Sequence, residues 1–418
     1  MGEHGRGKGR DRHGAKLWVL ALVPFIMVLG NSMLIPVLPR MMAVMHLTLF
    51  QVGLIITVFS VPAGLIIPLA GALSDRVGRK VVMAPALVLY GFGGLGAGFA
   101  AWLLPHPYPW IMGFRLAQGI GAGGTYQLAM AVAGDMFTGR GRSRALGLLE
   151  AANGTGKVVS PVAGSALALL VWFAPFFVYG LLALPIAAAV WWVLREPARA
   201  QSGSLSGYWQ GLASTFRRKG GAMALTFLAG SVVLFILFGV LSYLADVLEA
   251  VFGVREFARG LLIAIPVAAS AATSYATGAW LQGHLRGGAK GVVVGGLALV
   301  AAAMVAEPVV VLRSPVWALA VLVGMGLGTG AVLPAVNTLV TSAVTVHQRG
   351  AVTSLYGSVR FFGVALGPPA FSLAMQARYP VFWAAAALSA LSALAAGLLL
   401  REDRLLPEAA DPPARRPA

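Results

Sequence analysis

Twelve apolar segments, each long enough to cross a lipid bilayer as a helix, make up most of this chain of 418 residues. A spanning helix needs about 20 residues, each rising about 1.5 Å. The chain is 58% hydrophobic and 11% charged, whereas soluble proteins carry about 25% charged residues. The sequence therefore predicts an all-α integral membrane protein. The predicted spans are 17–39, 49–71, 82–104, 108–135, 145–170, 173–194, 223–246, 259–281, 291–311, 315–343, 351–374 and 379–400.

Basic residues concentrate in alternate loops between these spans. If the N-terminus is cytoplasmic, 23 of the 31 Lys and Arg residues lie on the cytoplasmic side, five lie on the outer side and three lie inside spans. Because positively charged loops stay on the cytoplasmic side, we expect a multi-pass protein of the cell membrane with both termini inside. This distribution explains the net charge of +17 without nucleic acid as a partner.

Polar stretches divide the spans into two sets of six. Residues 1–16 predict a disordered cytoplasmic tail, 195–222 a cytoplasmic linker and 401–418 a second tail. The N-terminal bundle then covers 17–194 and the C-terminal bundle covers 223–400.

The two sets also resemble each other in sequence. A shift of 207 residues carries Gly71 to Gly278 and Arg142 to Arg349. A duplicated six-helix unit is typical of transporters that bind substrate between two pseudo-symmetric bundles.

One loop, residues 71–80, holds an acid and three bases in the run GALSDRVGRK. Charge is costly inside lipid, so the run predicts a tight loop between spans. It resembles the loop motif of the major facilitator superfamily at every fixed position. The resemblance implies the major facilitator fold and a cytoplasmic gate, in which Asp75 faces the N-terminus of helix eleven near Gly350 and Arg79 pairs with Asp135. The alternative is a role in insertion and folding alone. The gate residues are Gly71, Asp75, Arg76, Gly78, Arg79 and Asp135.

Two further runs resemble motifs of the same superfamily. Residues 114–124, FRLAQGIGAGG, match a helix-four motif whose arginine, Arg115 here, is tied to proton coupling in relatives. The alternative is that Arg115 extends toward water at the outer end. Residues 150–165 resemble the motif of the twelve-helix drug/proton antiporters, although two of its glycines are serine. The resemblance implies export. The motif positions are Gly156, Ser160, Pro161 and Gly164.

Glu150, Asn153 and Lys157 share one face of the predicted fifth helix because they are three and four residues apart. We interpret Glu150 as the only acid clearly inside a predicted span, and we expect it to carry the coupled proton. Its expected charge partners are Lys157, Arg115 or Arg360, with Asn153 or water bridging Glu150 to Lys157. The alternative is a structural polar network.

Polar and aromatic side chains of several spans predict a substrate cavity. Three intramembrane bases outnumber the acid, and the first span carries Asn31 and Ser32 where many drug antiporters carry an acid. This balance favours anionic, zwitterionic or neutral substrates over lipophilic cations. The candidates are Asn31, Tyr126, Gln127, Asn337, Tyr356 and Arg360.

The resemblance implies an exporter that couples proton entry to the efflux of drug-like or amphipathic small molecules by alternating access, and we expect a monomer. The chain has no cysteine, and its six histidines lie outside the spans without ligand spacing, so we expect neither a metal nor a cofactor. The open alternatives are an exporter of a sugar, peptide or other metabolite, a membrane enzyme and a transport-dead sensor.

Overall fold

The computed structural model describes residues 4–137, 139–194, 205–282, 284–311, 313–344, 346–373 and 377–406. These ranges are almost entirely helical and contain no strand. The helices are α1 (His4–Ser32), α2 (Leu38–Met45), α3 (Leu49–Val77), α4 (Arg79–Leu103), α5 (Tyr108–Gly123), α6 (Tyr126–Met136), α7 (Gly139–Ala168), α8 (Ala174–Val193), α9 (Leu205–Ala250), α10 (Glu256–Leu281), α11 (Leu285–Val310), α12 (Pro315–Ser342), α13 (Val346–Ser372) and α14 (Arg378–Leu399).

Nine stretches of helix in the described ranges are long and apolar enough to cross a membrane. The other three predicted spans correspond to α5 with α6, to α7 and to α13. Helices α1 to α8 form one six-span bundle and α9 to α14 form the other. The predicted fold class is confirmed.

The fourth predicted span is not one continuous helix, because it breaks between α5 and α6. Thr125 has φ −117° and ψ −83°, outside the helical region. Glycine is about 1 kcal/mol less favourable than alanine in a helix, and Gly121, Gly123 and Gly124 precede this residue. The break puts Tyr126 at the first position of α6.

The two bundles meet where α3 packs against α13 and where α7 packs against α10. The hydroxyl of Thr57 donates to the carbonyl of Ala365 at 2.6 Å, which ties α3 to α13. Gly260 of α10 lies so close to Pro161 and Ser165 of α7 that a Cβ would collide with them. We call the end of the molecule that holds residues 71–80 the loop end. These contacts join the bundles toward the opposite end.

The polar ends of the chain differ from the sequence expectation. Helix α1 begins at His4, so the structure continues it through most of the segment that suggested a disordered tail. Helix α9 begins at Leu205, inside the expected linker, whose first part (195–204) lies outside the described residues. After α14, the Glu402 carboxylate accepts hydrogen bonds from the backbone N–H groups of Gly287 and Lys290. Residues 407–418 also lie outside the described residues.

Candidate functional site

A cavity of about 650 Å³ lies between the two bundles and reaches the loop end. Residues of α3, α6 and α7 line it on one side, and residues of α12 and α13 line it on the other. Its size falls within the roughly 300–1,000 Å³ of small-molecule sites. Five of the six cavity candidates line it. They are Tyr126, Gln127, Asn337, Tyr356 and Arg360.

The charged loop forms an ion-pair cluster at the mouth of this cavity. Arg79 Nε lies 3.2 Å from Asp135 Oδ2, and Arg79 Nη2 lies 3.5 Å from Asp75 Oδ1. Gly78 has φ 122° between α3 and α4, a conformation that side chains rarely tolerate. Gly350 of α13 lines the same cavity. The structure thus contains the Arg79–Asp135 pair, whereas the gate role stays a prediction.

Two further members of the expected gate set, Gly71 and Arg76, lie in the last two turns of α3. The Gly71 carbonyl accepts a 2.7 Å hydrogen bond from Ser74 Oγ, and Gly71 lines the cavity. Arg76 lies exposed at the end of α3.

Glu150 lies on the cavity wall and is exposed to it. The phenolic hydroxyl of Tyr126 donates a 2.6 Å hydrogen bond to Glu150 Oε1. This bond connects α6 to α7. The sequence pattern did not predict it, because the contact depends on the break that starts α6 at Tyr126.

Of the two expected bridges between Glu150 and Lys157, the structure does not contain the one through Asn153. Asn153 is buried, and its Nδ2 donates to the Pro24 carbonyl of α1 at 3.4 Å. This contact joins α7 to α1, and the described part of the structure contains no hydrogen bond from Asn153 to Glu150 or Lys157.

Arg115 is fully buried inside the N-terminal bundle, so the alternative in which it extends toward water is wrong. Its Nε donates to the Ile55 carbonyl at 3.1 Å and its Nη1 to the Gly30 carbonyl at 2.9 Å. Nη1 also donates to Gln118 Oε1 at 2.8 Å, and Nη2 donates to Asn31 Oδ1.

These partners belong to α1, α3 and α5, so the guanidinium of Arg115 is satisfied within one bundle. It also lies over the Phe59 ring, with Cζ 4.3 Å from the ring centroid. The expectation that Arg115 is a charge partner of Glu150 is therefore wrong, since its donors are already engaged elsewhere.

A smaller chamber of about 70 Å³ adjoins the main cavity. Tyr126, Gln127 and Arg360 line both spaces. Lys157 lines only the chamber. Asn31, Ser32 and Asn153 add polar groups to its wall, and Phe59, Phe238 and Phe361 add apolar surface.

The four residues of the antiporter motif line neither space. A Cβ on Gly156 would collide with Val28, and one on Gly164 would collide with the Met33 backbone. Ser160 Oγ donates to the Gly156 carbonyl within α7, and Pro161 faces α10. The motif therefore packs α7 between α1 and α10.

Sequence reasoning missed Glu307, which lies inside the predicted span 291–311. Its side chain is fully buried, and neither carboxylate oxygen has a hydrogen-bond partner among the described residues. The interpretation of Glu150 as the only acid inside a span is therefore wrong. An acid count over each span would have found Glu307, which lies four residues from the end of its segment.

Two bundles of six membrane spans with a cavity between them that is large enough for a small molecule are typical of membrane transporters. The family model of the Major Facilitator Superfamily matches residues 20–368, and the chain belongs to that superfamily. It is a multi-pass transporter of small molecules and not an enzyme.

Two curated relatives match most of the chain. The bacillibactin exporter of Bacillus subtilis (strain 168) is 39% identical over 361 residues, which cover 85% of this chain and 89% of the exporter. Multidrug efflux protein YfmO of the same organism is 28% identical over 358 residues, covering 84% of each chain. Among solved structures, a bacterial homolog to the human lysosomal transporter Spinster, inward-facing and occupied, aligns with a TM-score of 0.74 at 18% identity. That alignment covers 93% of this chain and 96% of the homolog.

Proposed function

We propose that this protein exports small molecules from the cell by exchange for protons. Its bundles would alternate between opening the central cavity to the cytoplasm and opening it to the outside. The observation that carries the proposal is Glu150, an acid on the wall of that cavity and hydrogen-bonded across two helices to Tyr126.

The position of the cavity supports alternating access. The space between the bundles reaches the loop end, where Asp75, Arg79 and Asp135 line its wall. Toward the opposite end, the Thr57–Ala365 bond and the packing at Gly260 hold the bundles together. With both termini inside, as the positions of the basic residues suggest, this arrangement faces the cytoplasm and is ready to load substrate.

The surroundings of Glu150 support its role as the proton carrier. A carboxylate inside a membrane is costly unless water or polar partners reach it, and such acids are typical of proton pathways. Glu150 has water access through the cavity and one hydroxyl donor. A substrate group that binds the ionised carboxylate excludes the proton, and this competition couples the two movements in opposite directions.

The relatives support export as the direction of transport. The names of both relatives describe export. One relative exports bacillibactin, a siderophore, and the other exports several drugs. The bacillibactin exporter has the higher identity, 39% over 85% of this chain. That identity favours a second candidate, in which the protein exports one secreted metabolite instead of many drugs.

Everted membrane vesicles with an acidic interior provide the test. The parent should accumulate a substrate found by screening siderophores and drugs, and collapse of the pH gradient should release it. Glu150→Gln should abolish pH-driven uptake but keep exchange of labelled for unlabelled substrate, because exchange needs no proton. Asp403→Asn changes an exposed acid after α14 and should behave like the parent. Full pH-driven uptake by Glu150→Gln would contradict the coupling role. No gradient-dependent uptake of any compound by the parent would contradict the whole proposal.

A further inference from the structure

We infer that the small chamber beside Tyr126 binds an anionic group of the substrate. The transported compound would then be elongated, with an acid at one end and a hydrogen-bond donor or amine at the other. This inference rests on the proposed function, since it assigns the substrate class of the same cavity.

The chamber brings two cationic side chains together from opposite bundles. Lys157 belongs to α7 and Arg360 belongs to α13, and both line the chamber wall. In the described part of the chain, neither makes an ion pair within 4.0 Å. Arg360 Nε is buried and has no hydrogen-bond partner there.

Two neighbouring cations inside a membrane repel each other and are costly without a counter-charge. Among the described residues no acid lines the chamber, and Glu150, the one acid in the sequence of α7, lies on the wall of the adjoining cavity. One acid balances only one of the two bases. A bound anion would balance the second.

The size of the chamber determines which part of a ligand it holds. At about 70 Å³, it can hold a few water molecules or one small acidic group, but not a whole ligand. The rest of the molecule would occupy the adjoining cavity of about 650 Å³. Tyr126 and Gln127 line both spaces, so they flank the passage between them.

Glu150 determines the chemistry of the other end of the ligand. It lies seven residues before Lys157 on α7, a rise of about 10 Å. A substrate that was only an anion would bind best when Glu150 is protonated, because an ionised carboxylate repels it. Proton and substrate would then travel together. A donor or amine at the far end competes with the proton for Glu150 instead, as exchange requires.

A matched set of probes tests the inference on the purified full-length protein in nanodiscs. The set is norfloxacin, which has a carboxylate and a distal amine, its ethyl ester, which lacks the acid, and tetraphenylphosphonium, a lipophilic cation. The parent should bind norfloxacin about tenfold or more tightly than the ester, as expected for one charge-assisted contact. Lys157→Gln and Arg360→Gln should reduce this ratio toward one.

Three further variants distinguish the loss of a charge from misfolding of the protein. Lys157→Arg and Arg360→Lys keep the charges and should keep most of the acid preference. Arg313→Gln removes an exposed charge between α11 and α12 and should leave the ratio unchanged.

Equal affinity for acid and ester, including no binding of either, would overturn the inference, as would tighter binding of tetraphenylphosphonium. The vesicle assay does not depend on the ratio of affinities for norfloxacin and its ester. Proton-driven uptake without a preference for the acid would therefore contradict this inference but not the proposed function.

Discussion

Tyr126 and Glu150 are joined by a 2.6 Å hydrogen bond that spans α6 and α7 at the wall of the central cavity. The hydroxyl donates to one oxygen of the Glu150 carboxylate, so it holds this side chain in place on the wall that a bound substrate would contact. The break at Thr125 places Tyr126 at the first position of a new helix, α6, from which its hydroxyl reaches Glu150.

Tyr126→Phe should therefore reduce pH-driven uptake by about one order of magnitude, the loss expected for a hydrogen bond to a charged group. The phenyl ring keeps its packing, so protein level and thermal unfolding should not change. Tyr275→Phe is the matched control, since Tyr275 is 83% exposed on α10. Undiminished uptake by Tyr126→Phe would show that this bond does not contribute to coupling.

The ion pair between Arg79 and Asp135 should act as one unit in the gate. We expect Arg79→Gln and Asp135→Asn each to slow uptake, and the double variant to be no slower than either single one. Exchange of the two charges, Arg79→Asp with Asp135→Arg, should restore part of the rate. Because Asp135 is 51% exposed, the pair adds only about 0–1 kcal/mol to stability, so unfolding temperatures should barely move. Arg144→Gln, at an exposed position of α7, controls for lost charge, and additive losses would argue against a paired gate.

The sequence predicts the helices of this fold well, because lipid requires long apolar segments and the loops between them carry the charge. The resemblance to the superfamily's loop motif implies the pair of Arg79 with Asp135, and the structure contains that pair. The family motif names these residues, and the alternation of spans places them together.

Side-chain partners across helices are not predictable in this way. Spacing along α7 puts Glu150 and Lys157 on one face, but it does not reveal that Asn153 reaches the Pro24 carbonyl. Nor does it reveal that Arg115 points into its own bundle and not into the cavity. Such contacts depend on the rotation of each helix about its own axis. Close packing at small residues sets that rotation.

Arg115 should contribute chiefly to the stability of the N-terminal bundle. Arg115→Lys keeps the charge but loses the planar fork that serves three helices, leaving the Ile55 carbonyl or the Asn31 amide without a donor. We expect a loss of about 2–4 kcal/mol in the free energy of unfolding, measured as a lower unfolding temperature of the purified protein. Gln118→Ala, which removes one of the partners, should lose less. A variant as stable as the parent but unable to couple protons would instead make Arg115 a coupling residue.

Packing of α7 against α1 should be sensitive to a single methyl group at Gly164. A Cβ at this position would collide with the backbone of Met33, which cannot move as a flexible side chain can. Gly164→Ala should therefore separate the two helices, lower the unfolding temperature and reduce transport. Gly154→Ala is the matched control on the same helix, because nothing lies within 4 Å of a Cβ built there and alanine favours the helix by about 1 kcal/mol. The control should be as stable as the parent or more so. If both variants behave alike, close approach at Gly164 does not hold the bundle together.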